Sequence, residues 1–257
     1  MKQEHQSPQS KTKQLFGNKS EDYSTSSLLK DERNLQFVLE MAGIKEGIRV
    51  LDVATGTGFM AIAAADTGAE VLATDFTPAM LEKAGEFLGE KSNTTLALAD
   101  ADCLPFPPDS FDVVTCRVSV HHFTHPRTAF DEMARVCRPG GRVLIMDVTS
   151  SEDEARSELH NKMGKMRDPS EVRQWRPSEL EQMLGGAGLS VEKLELWPHV
   201  MAFDEWIGLG QADEETAERL REMMIDSMDG DKAGLNPEFR DGELVFTWTT
   251  AIIVARK

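Results

Sequence analysis

The chain is poor in cysteine, poor in basic residues and lacks any long apolar run, and each shortage removes a class of function. Its 257 residues include three cysteines. Cys103, Cys116 and Cys137 are odd in number, against a disulfide framework, and widely spaced, against a zinc site. Three thiols, two of them in buried strand or helix positions, are expected instead. Lys and Arg total 28 against 44 Asp and Glu, a net charge of −16. Such a surface repels phosphate backbones and anionic lipid, so no nucleic-acid partner is expected. No stretch approaches the roughly 20 apolar residues of a membrane span, and the opening MKQEHQSPQSKTKQ has no apolar centre of signal-peptide length. These shortages predict a cytoplasmic protein with no membrane span and no bound metal.

What the chain does contain is an alternation of short apolar runs with helical segments. Residues 1–14 are polar and rich in Lys, Gln and Ser, as in a disordered leader. From Asp31 to Ala42 the apolar residues follow a helical spacing, and Gly43 marks the stop. Five strands then read as RVLDV, EVLATD, TTLALAD, SFDVVTCR and RVLIMDV. Between them, Thr77 is placed to cap a helix opened by Pro78, and HPRTAFDEMARVCRPGG reads as a helix ended by Pro139 and two glycines. Beyond them, LSVEKLELWP reads as a sixth strand and ELVFTWTTAIIVARK as a final one able to return antiparallel beside the fifth and sixth. The pattern predicts one α/β domain over residues 15–257, a doubly wound, Rossmann-like, mostly parallel sheet of seven strands with the last antiparallel. Inserts near 15–30, 150–176 and 199–241 are placed to cover the substrate side.

The segment VLDVATGTGF carries the chemistry. Gly56 and Gly58 lack Cβ atoms, so this loop can take positive φ and bring backbone close to a ligand. GTGFMA also satisfies the dinucleotide pattern G-x-G-x-x-G/A, which leaves a nicotinamide-dependent oxidoreductase as one reading. Asp52 argues against it. An acid at the strand end repels a pyrophosphate, whereas it can accept the loop's N–H groups and fix its curvature, or meet a cationic ligand group. Asp75 ends the second strand, where a carboxylate can take both hydroxyls of a ribose. Asp100, followed by Ala101, ends the third at a site suited to an adenine edge. A convincing Tyr/Lys or His/Arg pair for hydride transfer is lacking.

VLDVATGTGF, ATDFTPAML, ADADCLPFPPDSFDVV and RVCRPGGRVLIMDV together resemble the successive motifs of class I S-adenosylmethionine-dependent methyltransferases, in the broad group that includes the ubiquinone and menaquinone C-methyltransferases. The resemblance spans about residues 46–149, and RDPSEVRQWRPSELEQMLGGAGL is similar to the later part of small bacterial members. It implies S-adenosylmethionine as cofactor and a small-molecule acceptor, with C- or O-methylation favoured. By the same resemblance Asp52, Ala54, Thr55, Gly56 and Gly58 line the methionine and ribose side, and Asp75 holds the ribose with Phe76 beside the adenine. Asp100 and Ala101 would contact the adenine, and Arg117 would lie near the methionine part. A non-catalytic cofactor-binding protein on the same scaffold is the rival from another class.

A proton acceptor is sought in VSVHHFTHP. His121 and His122 follow the fourth strand at the carboxyl edge, where open α/β sheets place their ligands, and either titrates near neutrality. His125 is expected to cap the next helix. On the substrate side, Tyr23, the only tyrosine, is placed to lie over donor or acceptor, and Met163, Trp206 and Arg176 are candidates to wall the acceptor or meet an anionic group on it. The same apolar residues at helical spacing also read as core.

Overall fold

In the computed structural model, which describes residues 26–89 and 91–257, the apolar runs and amphipathic segments fold into alternating strands and helices. The leader over 1–14 and Tyr23 lie outside the described residues. The first described elements are α1 (Ser27–Lys30) and α2 (Glu32–Ala42). Asp31 caps α2 by accepting from the N–H groups of Arg33 and Asn34, and Gly43, at φ +72°, ends it. The parallel half runs β1 (Arg49–Val53), α3 (Phe59–Asp66), β2 (Glu70–Asp75), α4 (Pro78–Leu88), β3 (Thr94–Leu98), β4 (Phe111–Arg117), a 3₁₀ turn (Val120–His122), α5 (Pro126–Val136) and β5 (Cys137–Val148). The remainder is α6 (Glu154–Arg167), α7 (Pro177–Gly186), β6 (Ser190–Ala202), α8 (Phe203–Gly208), α9 (Glu214–Asp226), β7 (Glu238–Arg240) and β8 (Glu243–Arg256).

The sheet order is β3-β2-β1-β4-β5-β8-β6, with β7 paired to β8. The strands β1 to β5 are parallel, and β8 runs antiparallel to both β5 and β6. This is the doubly wound, mostly parallel sheet expected, with eight strands rather than seven. The extra strand is β7: Asp241 and Gly242, at φ +52° and +86°, form a two-residue turn that folds Glu238–Arg240 back on β8.

Three local expectations also change. The helix before β5 stops at Val136, because the Ser110 N–H donates to the Val136 carbonyl and Cys137 already pairs with Phe111, so the Pro-Gly-Gly stretch belongs to the strand. Thr77 and His125 stand at the N-cap positions of α4 and α5 without a side-chain cap bond. The Thr77 N–H goes back to Asp75 Oδ1 at 2.9 Å, and His125 Nδ1 lies 3.0 Å from Asp102 Oδ2.

Alternation along the strands covers both faces. Val50, Val113, Leu144 and Ile252 pack under α2, α3 and α4, while Leu51, Val114, Ile145 and Ile253 pack under α5 and α7. Each such side chain contributes about 1.5–3 kcal/mol by leaving water. A third cluster, including Met163, Phe203, Trp206, Met224, Phe246 and Trp248, joins α6, α8 and α9 to the extended ends of β6 and β8. Among the described residues no helix is long and apolar enough to cross a membrane.

Candidate active site

The strand order reverses between β1 and β4, and the crevice outside their carboxyl ends is where such a sheet accepts a ligand. A cavity of about 1100 Å³, open mouth included, lies there. Of the cofactor residues read from the sequence, Asp52, Ala54, Thr55, Gly56, Asp75, Phe76, Asp100, Ala101 and Arg117 line it, and Gly58 does not.

The two glycines do different work. Gly56, at φ +56°, opens onto empty space where a Cβ would stand, whereas at Gly58, φ +90°, a Cβ would meet the Ala84 Cβ at 3.2 Å. Gly56 therefore leaves room for a ligand and Gly58 lets α4 approach the loop. Their N–H groups are engaged within the protein: Gly56 donates to Asp75 Oδ2 at 3.0 Å and Gly58 to the Thr55 carbonyl at 3.0 Å. The acid that takes a loop N–H is thus Asp75. Asp52 instead accepts from the hydroxyls of Thr55 and Thr115 at 2.6 and 2.7 Å. Burial raises the Asp52 carboxyl to about 6 against the pull of these hydroxyls and Arg117, and burial raises Asp75 as well.

Two non-glycine residues at the rim hold left-handed backbone, Ala54 at φ +55° and Val118 at φ +54°. For a β-branched residue that conformation is strained. The Val118 N–H donates to the Met146 carbonyl at 2.7 Å and Ser119 Oγ donates to the Ala54 carbonyl at 3.2 Å, which ties the β4 turn to the β1 loop. Arg117 reaches the other way. Its guanidinium donates to the carbonyls of Leu28 and Leu29 and to Asn34 Oδ1, so it anchors α1 at the cavity's edge, and burial lowers it to about 10.

The adjacent histidines separate. His122 lines the cavity and His121 does not. His121 is buried, donates through Nδ1 to Asp147 Oδ1 at 2.6 Å, and has its backbone N–H on Asp147 Oδ2 at 3.0 Å. Burial opposes its charged form, but Asp147 outweighs burial and raises it. The His122 ring lies 4.1 Å from the His121 ring, and burial together with that neighbouring charge lowers it to about 4.

The insert residues expected around the acceptor are elsewhere. Met163 and Trp206 are fully buried in the third cluster, and Arg176 sits at the start of α7 beside Glu154 and Glu179, so none lines the cavity. Their helical spacing was that of core residues. Leu29, Met60, Met80, Ser119, Phe123 and Thr124 line the cavity without having been singled out in the sequence. Asp147 was also missed, although an acid at a strand end is the signal that found Asp52 and Asp75. Among the described residues no group of His, Cys, Asp and Glu is arranged to hold a metal ion.

Residues 51–145 match the family described as "Methyltransferase domain". The methyltransferase YcgJ of Bacillus subtilis, itself uncharacterised, is 34% identical over 197 residues, covering 76% of this chain and 78% of YcgJ. The chain belongs to the class I S-adenosylmethionine-dependent methyltransferases. The crystal structure of YcgJ aligns with this methyltransferase at a TM-score of 0.81 and 29% identity, covering 88% of this chain and 98% of that one. The ubiquinone/menaquinone biosynthesis C-methyltransferase UbiE of Burkholderia vietnamiensis is 41% identical over 116 residues, covering 43% of this methyltransferase and 47% of UbiE.

S-adenosylmethionine is accordingly the cofactor, and the cavity of this methyltransferase fits it. Four carboxylates, Asp52, Asp75, Asp100 and Asp102, line the cavity against one guanidinium, Arg117. That excess suits a sulfonium and an ammonium and opposes the pyrophosphate of a nicotinamide dinucleotide. The open space beside Gly56 supplies the cradle. The oxidoreductase and non-catalytic readings fall with the family assignment.

Proposed function

We propose that this methyltransferase acts in the cytoplasm on a small-molecule acceptor, methylating carbon or oxygen, with His122 as the group that takes the acceptor's proton. S-adenosylmethionine supplies a methyl group made electrophilic by its sulfonium. The chain's tasks are then alignment, worth about 7–11 kcal/mol in well-oriented systems, exclusion of water, and removal of whatever proton the acceptor must lose. In this reading Asp75 holds the ribose hydroxyls, Phe76 and Ala101 flank the adenine, and Asp100 accepts from its amino group. Asp52, Ala54, Thr55, Gly56 and Arg117 frame the methionine end. Gly58 acts through the packing of α4.

One observation carries the acceptor side: His122 lines the same cavity as the acids and is neutral at pH 7, since its ring is lowered to about 4. A base lowered in this way is weak, so it can assist only an acceptor whose proton is itself acidic, as in a phenol, a quinol or an activated carbon, and not an alcohol. The likeness to UbiE, a C-methyltransferase of quinone biosynthesis by name, supports the same class. The test is a screen with tritiated methyl donor over quinols, phenols, amines and thiols. Transfer to a phenol or quinol is expected, with a loss of about 10²-fold or more in His122→Gln. Transfer confined to amines or thiols, or an unimpaired His122→Gln, overturns the proposal.

A further inference from the structure

The segment between α6 and α7 contributes no side chain to the cavity lining, yet it contacts His122 directly. Asp168, Ser170, Glu171 and Gln174 are all buried. The segment is docked through the backbone, the N–H groups of Val172 and Arg173 donating to the His121 carbonyl at 2.8 and 3.1 Å. His122 Nδ1 faces two oxygens of one residue, the Ser170 carbonyl at 3.2 Å and Ser170 Oγ at 3.2 Å. The carbonyl can only accept. The hydroxyl hydrogen is already committed, because Ser170 Oγ donates to Asp168 Oδ1 at 2.7 Å, and that carboxylate oxygen also takes the Ser170 N–H at 2.9 Å. Toward His122 the hydroxyl is therefore an acceptor as well, and the ring nitrogen between two acceptors must carry the proton.

We infer that Asp168 and Ser170 are positioning residues that fix His122 as the Nδ1–H tautomer, so that Nε2 is its accepting nitrogen and the site selects methyl acceptors that bring a transferable proton. The inference rests on the reading of His122 as the acceptor-side base. As the acceptor's X–H bond breaks, the proton passes to Nε2 and the electron pair stays on X to form the bond to the methyl carbon, whose bond to the donor sulfur breaks with its electron pair left on sulfur, releasing S-adenosylhomocysteine. The resulting imidazolium keeps its Nδ1–H on Ser170, with the Asp168 and Glu171 carboxylates favouring its charge, and it loses the proton to water once the product has left. A thioether or tertiary amine in the same position gives Nε2 nothing to accept.

The wild-type protein labelled with ¹⁵N-histidine provides the first test, with the His122 ring signals assigned by their loss in His122→Gln. Near neutral pH the ring is expected to show a protonated Nδ1 and an unprotonated Nε2. In Asp168→Ala the Ser170 hydroxyl is released to donate to Nδ1, so the Nε2–H tautomer becomes populated. It does not in the Asp168→Ala/Ser170→Ala double variant. On a protic acceptor kcat in Asp168→Ala falls at least about tenfold, as expected when a catalytic imidazole takes the wrong tautomer, while S-adenosylhomocysteine binding stays within about twofold because neither residue lines the cofactor cavity. A wild-type ring protonated on Nε2 overturns this inference and leaves the base reading standing if His122→Gln is inactive. Full turnover by His122→Gln overturns both.

Discussion

The Gly56 N–H donates to the Asp75 carboxylate at 3.0 Å, and the other oxygen of that carboxylate takes the Thr77 N–H at 2.9 Å. One side chain at the end of β2 thereby holds the β1 loop and the start of α4 in a fixed relation. Asp75→Asn keeps the shape but only one accepting oxygen, so one of these N–H groups loses its partner. Hydrogen bonds to a charged group are worth about 1.5–3 kcal/mol. The expected result is a loss of about tenfold or more in S-adenosylhomocysteine affinity by calorimetry, with a smaller change in stability, because the buried charge is removed at the same time. Unchanged affinity would show that the loop keeps its form without Asp75.

Asp52 gives a pH dependence of definite sign. Its carboxyl is raised to about 6 in the fold, mainly by burial. The fold therefore favours the protonated form, and the associated stability is present below the unfolded value of about 3.9 and lost as pH rises through about 6, an amplitude near 3 kcal/mol. Asp52→Asn should be more stable than wild type at pH 8 and indistinguishable at pH 4 by chemical denaturation. The same variant should bind S-adenosylhomocysteine more weakly if, as proposed, Asp52 frames the methionine end and is the counter-charge of its ammonium. In wild type, affinity should weaken as pH falls below about 6, where Asp52 becomes neutral. A stability gain of equal size at both pH values would refute the assignment.

Much of this site was legible in the sequence because it is built from strand ends. Asp52, Asp75 and Asp100 each close an apolar run, and the parallel sheet brings those ends to one edge. The loop N–H expected on Asp52 goes instead to Asp75, because the Gly56–Asp75 bond joins residues 19 apart at the ends of neighbouring strands and no local pattern records it. Met163 and Trp206 misled for the opposite reason. A methionine or tryptophan at helical spacing reads the same whether it faces a core or a ligand, and here α6 and α8 turn theirs against Phe246 and Trp248. The β7 hairpin was missed because its strand, Glu238–Arg240, is three exposed residues, too short a run to show a period.

Gly58 separates packing from binding. Replacement by Ala places a Cβ at φ +90° and 3.2 Å from the Ala84 Cβ, against an α4 that cannot withdraw without leaving β2 and β3. The left-handed conformation alone costs a non-glycine residue roughly 1–2 kcal/mol, and crowding adds to it. Gly58→Ala should therefore lower the melting temperature by several degrees, while Ala84→Gly in the same chain restores part of the loss by relieving the contact. A thermal melt unaffected by Gly58→Ala would mean that the glycine serves the ligand after all.

His160 on α6 tests the acid side of the stability curve. It is buried, its Nδ1 has no hydrogen-bond partner among the described residues, and burial lowers it to about 4, with Arg167 acting in the same direction and Glu171 against it. The unfolded chain binds a proton at this residue near 6.5, so between about 6.5 and 4 the unfolded state holds more protons than the fold and stability declines as the pH drops, by about 3 kcal/mol at the lower limit. His122 contributes a decline of the same sign, and Asp52 opposes both over the lower part of that window. His160→Leu removes one titration and replaces an unpartnered polar ring by an apolar side chain in the α6 layer. Its unfolding free energy should match or exceed that of wild type at pH 8, and its advantage should widen steadily toward pH 4.5. A variant whose stability runs parallel to wild type over that whole interval would show that His160 takes up its proton in the fold, and that the polar cluster around Arg167 and Glu171 is open to water.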